Sequence, residues 1–232
     1  FSSEGSVTAP GYYVDDIGIG VQFAPPPYYA EDFESDDGGY TVSGVTSWEW
    51  GIPTRGPSFA HSGSYVWATN LDDNYGNNED GYLTSPPVDL SSADTEMMQL
   101  SWWQWLQTER GYDFASVEVS DGITWTEIYS FTGVINPLSA AAYLPAGGGG
   151  EGSYWYQYTY LLDAATYAVP DFQVRFRLQS DATVTYPGYY LDDVRVDPYT
   201  GLPPAVGCEA QSGGLVLGSV FDENTGTVLN GA

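Results

Sequence analysis

The residues of this chain best equipped for chemistry are its carboxylates. Thirty-one Asp and Glu stand against five arginines and no lysine, for a formal net charge of −26 over 232 residues. Two acidic segments have the spacing of a chelating site. Asp32 and Glu34 open the first strand of the central region and Asp192 and Asp193 lie in its last, so pairing of first and last strands would bring the four together. The run Asp72-Asp73-Asn74-Tyr75-Gly76-Asn77-Asn78-Glu79-Asp80 packs further oxygen donors, among them Asp72, Asn74, Asn78 and Glu79, into one loop. Calcium takes about six to eight hard oxygen ligands at flexible geometry, which makes it the expected cofactor at both places. The loop is no EF-hand, since Asn77 stands sixth from Asp72 and Leu83 twelfth. An ordinary Asn/Asp/Gly turn is the competing reading.

Other chemistry finds little support. His61 is the sole histidine and no Gly-x-Ser-x-Gly elbow occurs, so a hydrolytic triad would hang on one imidazole. Cys208, the one cysteine, sits in a Pro/Gly linker without a basic neighbour to lower its pKa, and its expected fate is a disulfide to a cysteine beyond Ala232. With so many acids, no pair of carboxylates singles itself out for glycoside hydrolysis. The chain is therefore read as non-catalytic. Nucleic acid is excluded as a partner by the missing cationic surface. No run approaches the roughly 20 apolar residues of a membrane span.

The elements that must hold these carboxylates read as β-structure. Short β-prone runs separated by turn signals extend from about Glu31 to Asp197, and 28 Gly and 15 Pro argue against long helices. In Phe172 to Leu178 strict alternation points Phe172, Val174, Phe176 and Leu178 inward and Arg175 and Arg177 outward. The fold class is all-β: an antiparallel jelly-roll β-sandwich with partial β units at both ends. Aromatic sets (Trp103 and Trp105; Tyr154, Tyr156, Tyr158 and Tyr160) either fill and cover the sheets or form a stacking platform for glycans.

The ends suggest a repeat. Val7 to Ile19 reappears as Val184 to Val196, with eight of thirteen positions identical, and the chain is expected to be a piece of a longer repetitive protein. Residues 1–22 are expected to be the terminal strand of a preceding unit and 23–30, with Pro25-Pro26-Pro27, a stiff linker. The sandwich follows over 31–200. Residues 201–213 form a second linker, and 214–232 one hairpin that needs more sheet to be stable. The glycine run from Gly147 to Gly150 is expected to be a flexible loop.

The series Glu31-Asp32-Phe33-Glu34, Trp48-Glu49-Trp50-Gly51, His61-Ser62-Gly63, Trp67-Ala68-Thr69-Asn70-Leu71, Asn77 to Pro86 and Pro187 to Val194 resembles the MAM-like jelly-roll module of secreted bacterial peptidases of the immune inhibitor A type. The segment 214–232 is similar to the opening hairpin of a carboxypeptidase regulatory-like domain. The resemblance implies non-catalytic attachments of a secreted or cell-surface protein, with the strand-edge acids as a cation site and the His-Ser-Gly step as scaffold. Expected partners are adjacent domains or neighbouring copies of the same protein, joined by strand donation into a filament. Glycans are the alternative ligand, bound by an accessory domain of a secreted peptidase.

Overall fold

A computed structural model describes residues 25–134 and 154–199. The expected first strand, the glycine loop, Cys208 with its linker and the final hairpin lie outside the described residues. Eleven strands and one four-residue helix are present among those described. The strands are β1 (Tyr29–Glu31), β2 (Thr41–Val45), β3 (Trp48–Gly51), β4 (Val66–Thr69), β5 (Asp80–Thr84), β6 (Met97–Gln107), β7 (Phe114–Ser120), β8 (Trp125–Phe131), β9 (Tyr156–Asp163), β10 (Gln173–Gln179) and β11 (Gly188–Pro198). They form two antiparallel sheets, one ordered β3-β4-β11-β6-β9 with β1 added to β11, the other β2-β5-β10-β7-β8. The fold is an all-β sandwich.

The core lies between the sheets. Alternate residues of β10 (Val174, Phe176, Leu178), β7 (Val117, Val119) and β5 (Leu83) meet Met98, Leu100, Trp102 and Leu106 of β6 and Tyr189, Leu191, Val194 and Val196 of β11. The alternation in β10 runs as the sequence dictates, with Arg175 and Arg177 on the outer face. Tyr158 closes the β8–β9 side of the sandwich by stacking on Trp102 at 5.8 Å and meeting Phe131 edge-on at 4.7 Å. Half of the tyrosine series, Tyr158 and Tyr160, thus packs on the sheets, while Tyr154 and Tyr156 stay exposed.

The six-stranded sheet also buries part of its outer face. Ala60, Val66, Ala68, Trp105 and Tyr190 form a second cluster there, joined by Leu71 and Trp155. Residues 52–65 cross this face, anchored by Thr54 and Arg55 N–H donating to Leu71 O at 2.8 and 2.9 Å and by Trp155 Nε1 donating to Phe59 O at 3.1 Å. Trp105 is therefore covered, which puts this ring with packing rather than with a stacking platform.

One strand governs the geometry of the site. β11 pairs with β6 along its whole length, but on its other side it pairs first with β4 (Tyr190↔Ala68, Leu191↔Trp67) and then with β1 (Val194↔Glu31, Val196↔Tyr29). The sheet begins slightly before the expected boundary at residue 31, since Tyr29 is already in register and Tyr28 N–H donates to Val196 O at 2.8 Å. Where the partner changes, the β11–β6 ladder carries a bulge between Asp192 and Arg195, and Asp193 takes φ +48. A non-glycine residue in the left-handed region is strained, and such strain gathers at functional sites.

Candidate metal centre

The bulge of β11 is where three chain segments converge. β1 ends at Glu31 and is followed by Asp32, residues 61–65 lead into β4, and Asp192-Asp193 sit between them on the last strand. The triplet His61-Ser62-Gly63 ties all three together. His61 Nδ1 lies 2.6 Å from Asp193 Oδ2 and its ring stacks on Trp103, the cross-strand partner of Asp192, at 3.6 Å. Ser62 N–H donates to Asp192 Oδ2 and its hydroxyl to Asp193 Oδ1, both at 3.0 Å. Gly63, at φ +56, lies so close to Glu34 that a Cβ would stand 2.1 Å from its carboxyl carbon. Glu34 Oε1 accepts the backbone N–H groups of Ser64 and Tyr65 at 2.8 and 2.7 Å. The glycine is needed for that approach.

The carboxylates predicted from sequence thus divide. Asp32 and Asp193 line one cleft of about 440 Å³ with Glu31, Ser35, Asp36, Ser62 and Arg195. Asp192 is fully buried on the outer face of the sheet, holding Ser62 N–H and the N–H of Asp193. Burial pushes its pKa up to about 7, the Ser62 N–H pulls it part of the way back, and the adjacent Asp193 charge raises it again. Glu34 anchors the loop entering β4. Burial also raises the pKa of Glu31. Among the described residues, His61, Asp192 and Asp193 form one of two groups that bring three ligand atoms within 4.8 Å of one another.

The acidic loop is spent differently. Asn74 Oδ1 accepts Arg55 Nε and Nη2 at 3.2 and 2.8 Å, and its Nδ2 donates to Thr185 O at 2.8 Å. Asn78, at φ +57, donates its N–H to Asp181 O at 2.7 Å. Glu79 is 5% exposed and accepts Ser47 N–H at 3.2 Å, Ser47 Oγ at 2.7 Å and Gly76 N–H. Asp72 is exposed, and its N–H bonds to Asn70 Oδ1 at 3.2 Å. Glu79 therefore staples the β2–β3 corner to the loop before β5. Glu79→Ala should lower unfolding free energy by about 2–3 kcal/mol, because two backbone N–H groups lose a charged acceptor. Urea melts at neutral pH would measure it.

Sequence reasoning missed His61 and Ser62 as part of this cluster and Glu31 and Asp36 as walls of the cleft. The His-Ser-Gly, Glu-Asp-Phe-Glu and Leu-Asp-Asp motifs are visible in the sequence, but only the register of β1 and β4 on β11 brings them together. The same geometry argues against a hydrolytic triad. Ser62 Oγ donates to Asp193, and His61 Nδ1 bonds the same carboxylate, so the hydroxyl and imidazole compete for one acid rather than forming a relay.

Fold and site together define a two-sheet β-sandwich module with an acidic, bulged last strand. No family model matches the sequence. Over 167 residues, 72% of the chain, it is 32% identical to bacillopeptidase F of Bacillus subtilis strain 168, and it spans 10% of that protein. Among solved structures, the K1 cleaved adhesin domain of Lys-gingipain from Porphyromonas gingivalis W83 aligns with a TM-score of 0.50 and 20% identity over 74% of the chain and 98% of that domain. A xylan-binding domain from Paenibacillus barcinonensis aligns with a TM-score of 0.42 and 12% identity over 74% of the chain and 99% of that domain. No helix among the described residues is long and apolar enough to cross a membrane.

Proposed function

We propose that the chain is a non-catalytic, calcium-stabilised module of an extracellular protein, serving an adhesive or structural role beside other domains. The observation that carries this reading is the cleft at the β11 bulge, lined by Glu31, Asp32, Asp36 and Asp193 with Ser35 and Ser62 beside them and with Arg195, itself paired with Asp197, at its wall. All the carboxylates offer hard oxygen, which suits calcium. The cation would bind across the break between β4 and β1, joining first strand, last strand and the 61–65 segment. A doubly charged ion there also offsets part of the self-repulsion of a chain at −26.

Identity to a segment of bacillopeptidase F supports an accessory module of a peptidase-bearing protein, and extracellular placement accords with calcium availability. Glycan binding, the alternative, would have to use rings other than Trp105. Neighbouring copies or domains are the proposed partners, and a donated strand would add to β2, an edge strand exposed at all five of its uncharged residues.

The test is calcium-dependent stability. At calcium about 100-fold above Kd the metal-stripped chain should gain about 2.7 kcal/mol, a Tm rise of roughly 5–10 °C for a domain of this size. Asp193→Asn and Asp32→Asn should reduce that rise. A Tm indifferent to calcium and to chelation sinks the reading.

A further inference from the structure

At the corner of β11 the imidazole of His61 is held by two indole rings. It lies on Trp103 at 3.6 Å with 13° between the planes, and it meets Trp155 edge-on at 6.3 Å. Trp103 comes from β6, and Trp155 stands just before β9, where its Nε1 donates to Phe59 O. Held in this way, His61 brings Nδ1 to 2.6 Å from Asp193 Oδ2. An ionised carboxylate only accepts, so Nδ1 carries the proton and donates it. Ser62 Oγ donates to the other oxygen at 3.0 Å.

His61, Asp192 and Asp193 have the makeup of a nitrogen-oxygen metal site, but one distance speaks against it. Two atoms that bind one ion at about 2.0–2.4 Å each stand roughly 3 Å or more apart. His61 Nδ1 and Asp193 Oδ2 are closer than that, and a proton rather than an ion joins them. What the imidazole does is fix Asp193. That residue stands in the bulge at φ +48, a conformation that persists only where its surroundings impose it. Each carboxylate oxygen keeps a further lone pair after accepting one hydrogen bond, so Asp193 can line the cleft with both bonds made.

We propose that His61 is a positioning residue of the cation site and not a ligand, and that Trp103 sets the affinity for an ion it does not touch by holding the imidazole against its ring. The inference rests on the reading of the β11 cleft as a calcium site. It also gives Trp103 an occupation, since one face of a ring that could have served a glycan platform is spent on His61.

The test is calorimetric titration of the full, metal-stripped chain with calcium chloride, alongside His61→Phe, His61→Asn and Trp103→Leu. Phenylalanine keeps a ring on Trp103 but offers Asp193 no N–H; asparagine keeps a donor near the place of Nδ1 and gives up the ring. The His61 side chain is 28% exposed, so its variants are expected to fold, and circular dichroism with melting in chelator checks this. The expected result is calcium bound about tenfold or more weakly by His61→Phe and by Trp103→Leu, with His61→Asn between His61→Phe and the parent, because losing the outer partner of a ligand costs about 10–100-fold in metal affinity. His61→Phe decides alone if Trp103→Leu does not fold. A His61→Phe chain that melts lower in chelator yet binds calcium as the parent does overturns the proposal and leaves the calcium reading standing. His61→Asn binding no better than His61→Phe overturns it as well, and so does zinc uptake by the parent that disappears in His61→Phe, the mark of a ligand. A parent that takes up no calcium removes both readings.

Discussion

An Arg175→Ala chain should unfold about 3–5 kcal/mol more readily than the parent, because it strands a buried acid. Glu118 is 8% exposed on the outer face of the five-stranded sheet, and Arg175 is its partner through Nε at 2.8 Å and through Nη2. The guanidinium is held in place by rings, 4.4 Å from the centroid of Tyr82 and 4.1 Å from that of Trp125. Removing the arginine takes away charge, stacking and cover at once, leaving Glu118 beside Glu127, its cross-strand neighbour. Arg175→Lys should recover only part of the loss, since a point charge cannot lie flat between two rings. Glu118→Gln should be milder, because it leaves no unpaired buried anion. Urea melts of the three variants give the ranking. The result also bears on ligand binding: if Arg175→Ala is as stable as the parent, the Tyr82–Trp125 stack is dispensable to the fold and becomes a credible glycan surface. A large loss marks those rings as clamps on an arginine.

How far the sequence reached depends on which interactions set each feature. The alternation of Phe172 to Leu178 specified β10 and its orientation, because side-chain period is a local property of a strand. The approach of β1 to the last strand also followed from sequence order and the paired acidic motifs, and Asp32 and Asp193 do share a cleft. The division of labour among the acids did not follow. Glu34 and Asp192 look equivalent to Asp32 and Asp193 on paper, yet a one-residue change of face at the bulge turns Asp192 toward Ser62 under the covering segment. The loop from Asp72 to Asp80 has the composition of a cation site, but long-range partners, Ser47, Arg55 and Thr185, occupy Glu79 and Asn74.

The second large effect is a pH dependence opposite in sign to that of a protein whose carboxylates are held by cations. In the calcium-free chain burial displaces the Asp192 pKa from its ordinary 3.8 up to about 7. The folded state therefore binds more protons than the unfolded state between those values, and unfolding free energy must fall as pH rises. Asp192 contributes its full stabilisation below about 3.8 and loses it as pH passes through about 7, a span worth about 4 kcal/mol at 1.36 kcal/mol per unit. Glu31, Glu109 and Asp113 are raised as well and add in the same direction. Asp89 and Asp121, lowered by hydrogen bonds from Ser91 and Thr124, oppose it from exposed turns where such effects are screened. Denaturant melts of the metal-stripped chain should accordingly give greater stability at pH 5 than at pH 8. General repulsion at high negative charge has the same sign, so Asp192→Asn is the control that isolates the residue: its curve should be flatter than the parent's by most of that difference. Parallel curves for variant and parent would show that Asp192 ionises as freely in the fold as in the open chain. Saturating calcium should erase the slope in the parent, since a cation beside the bulge stabilises the ionised carboxylates that burial penalises. The strained, anion-rich turn of β11 would then be a structure whose full stability at neutral pH depends on the ion it binds.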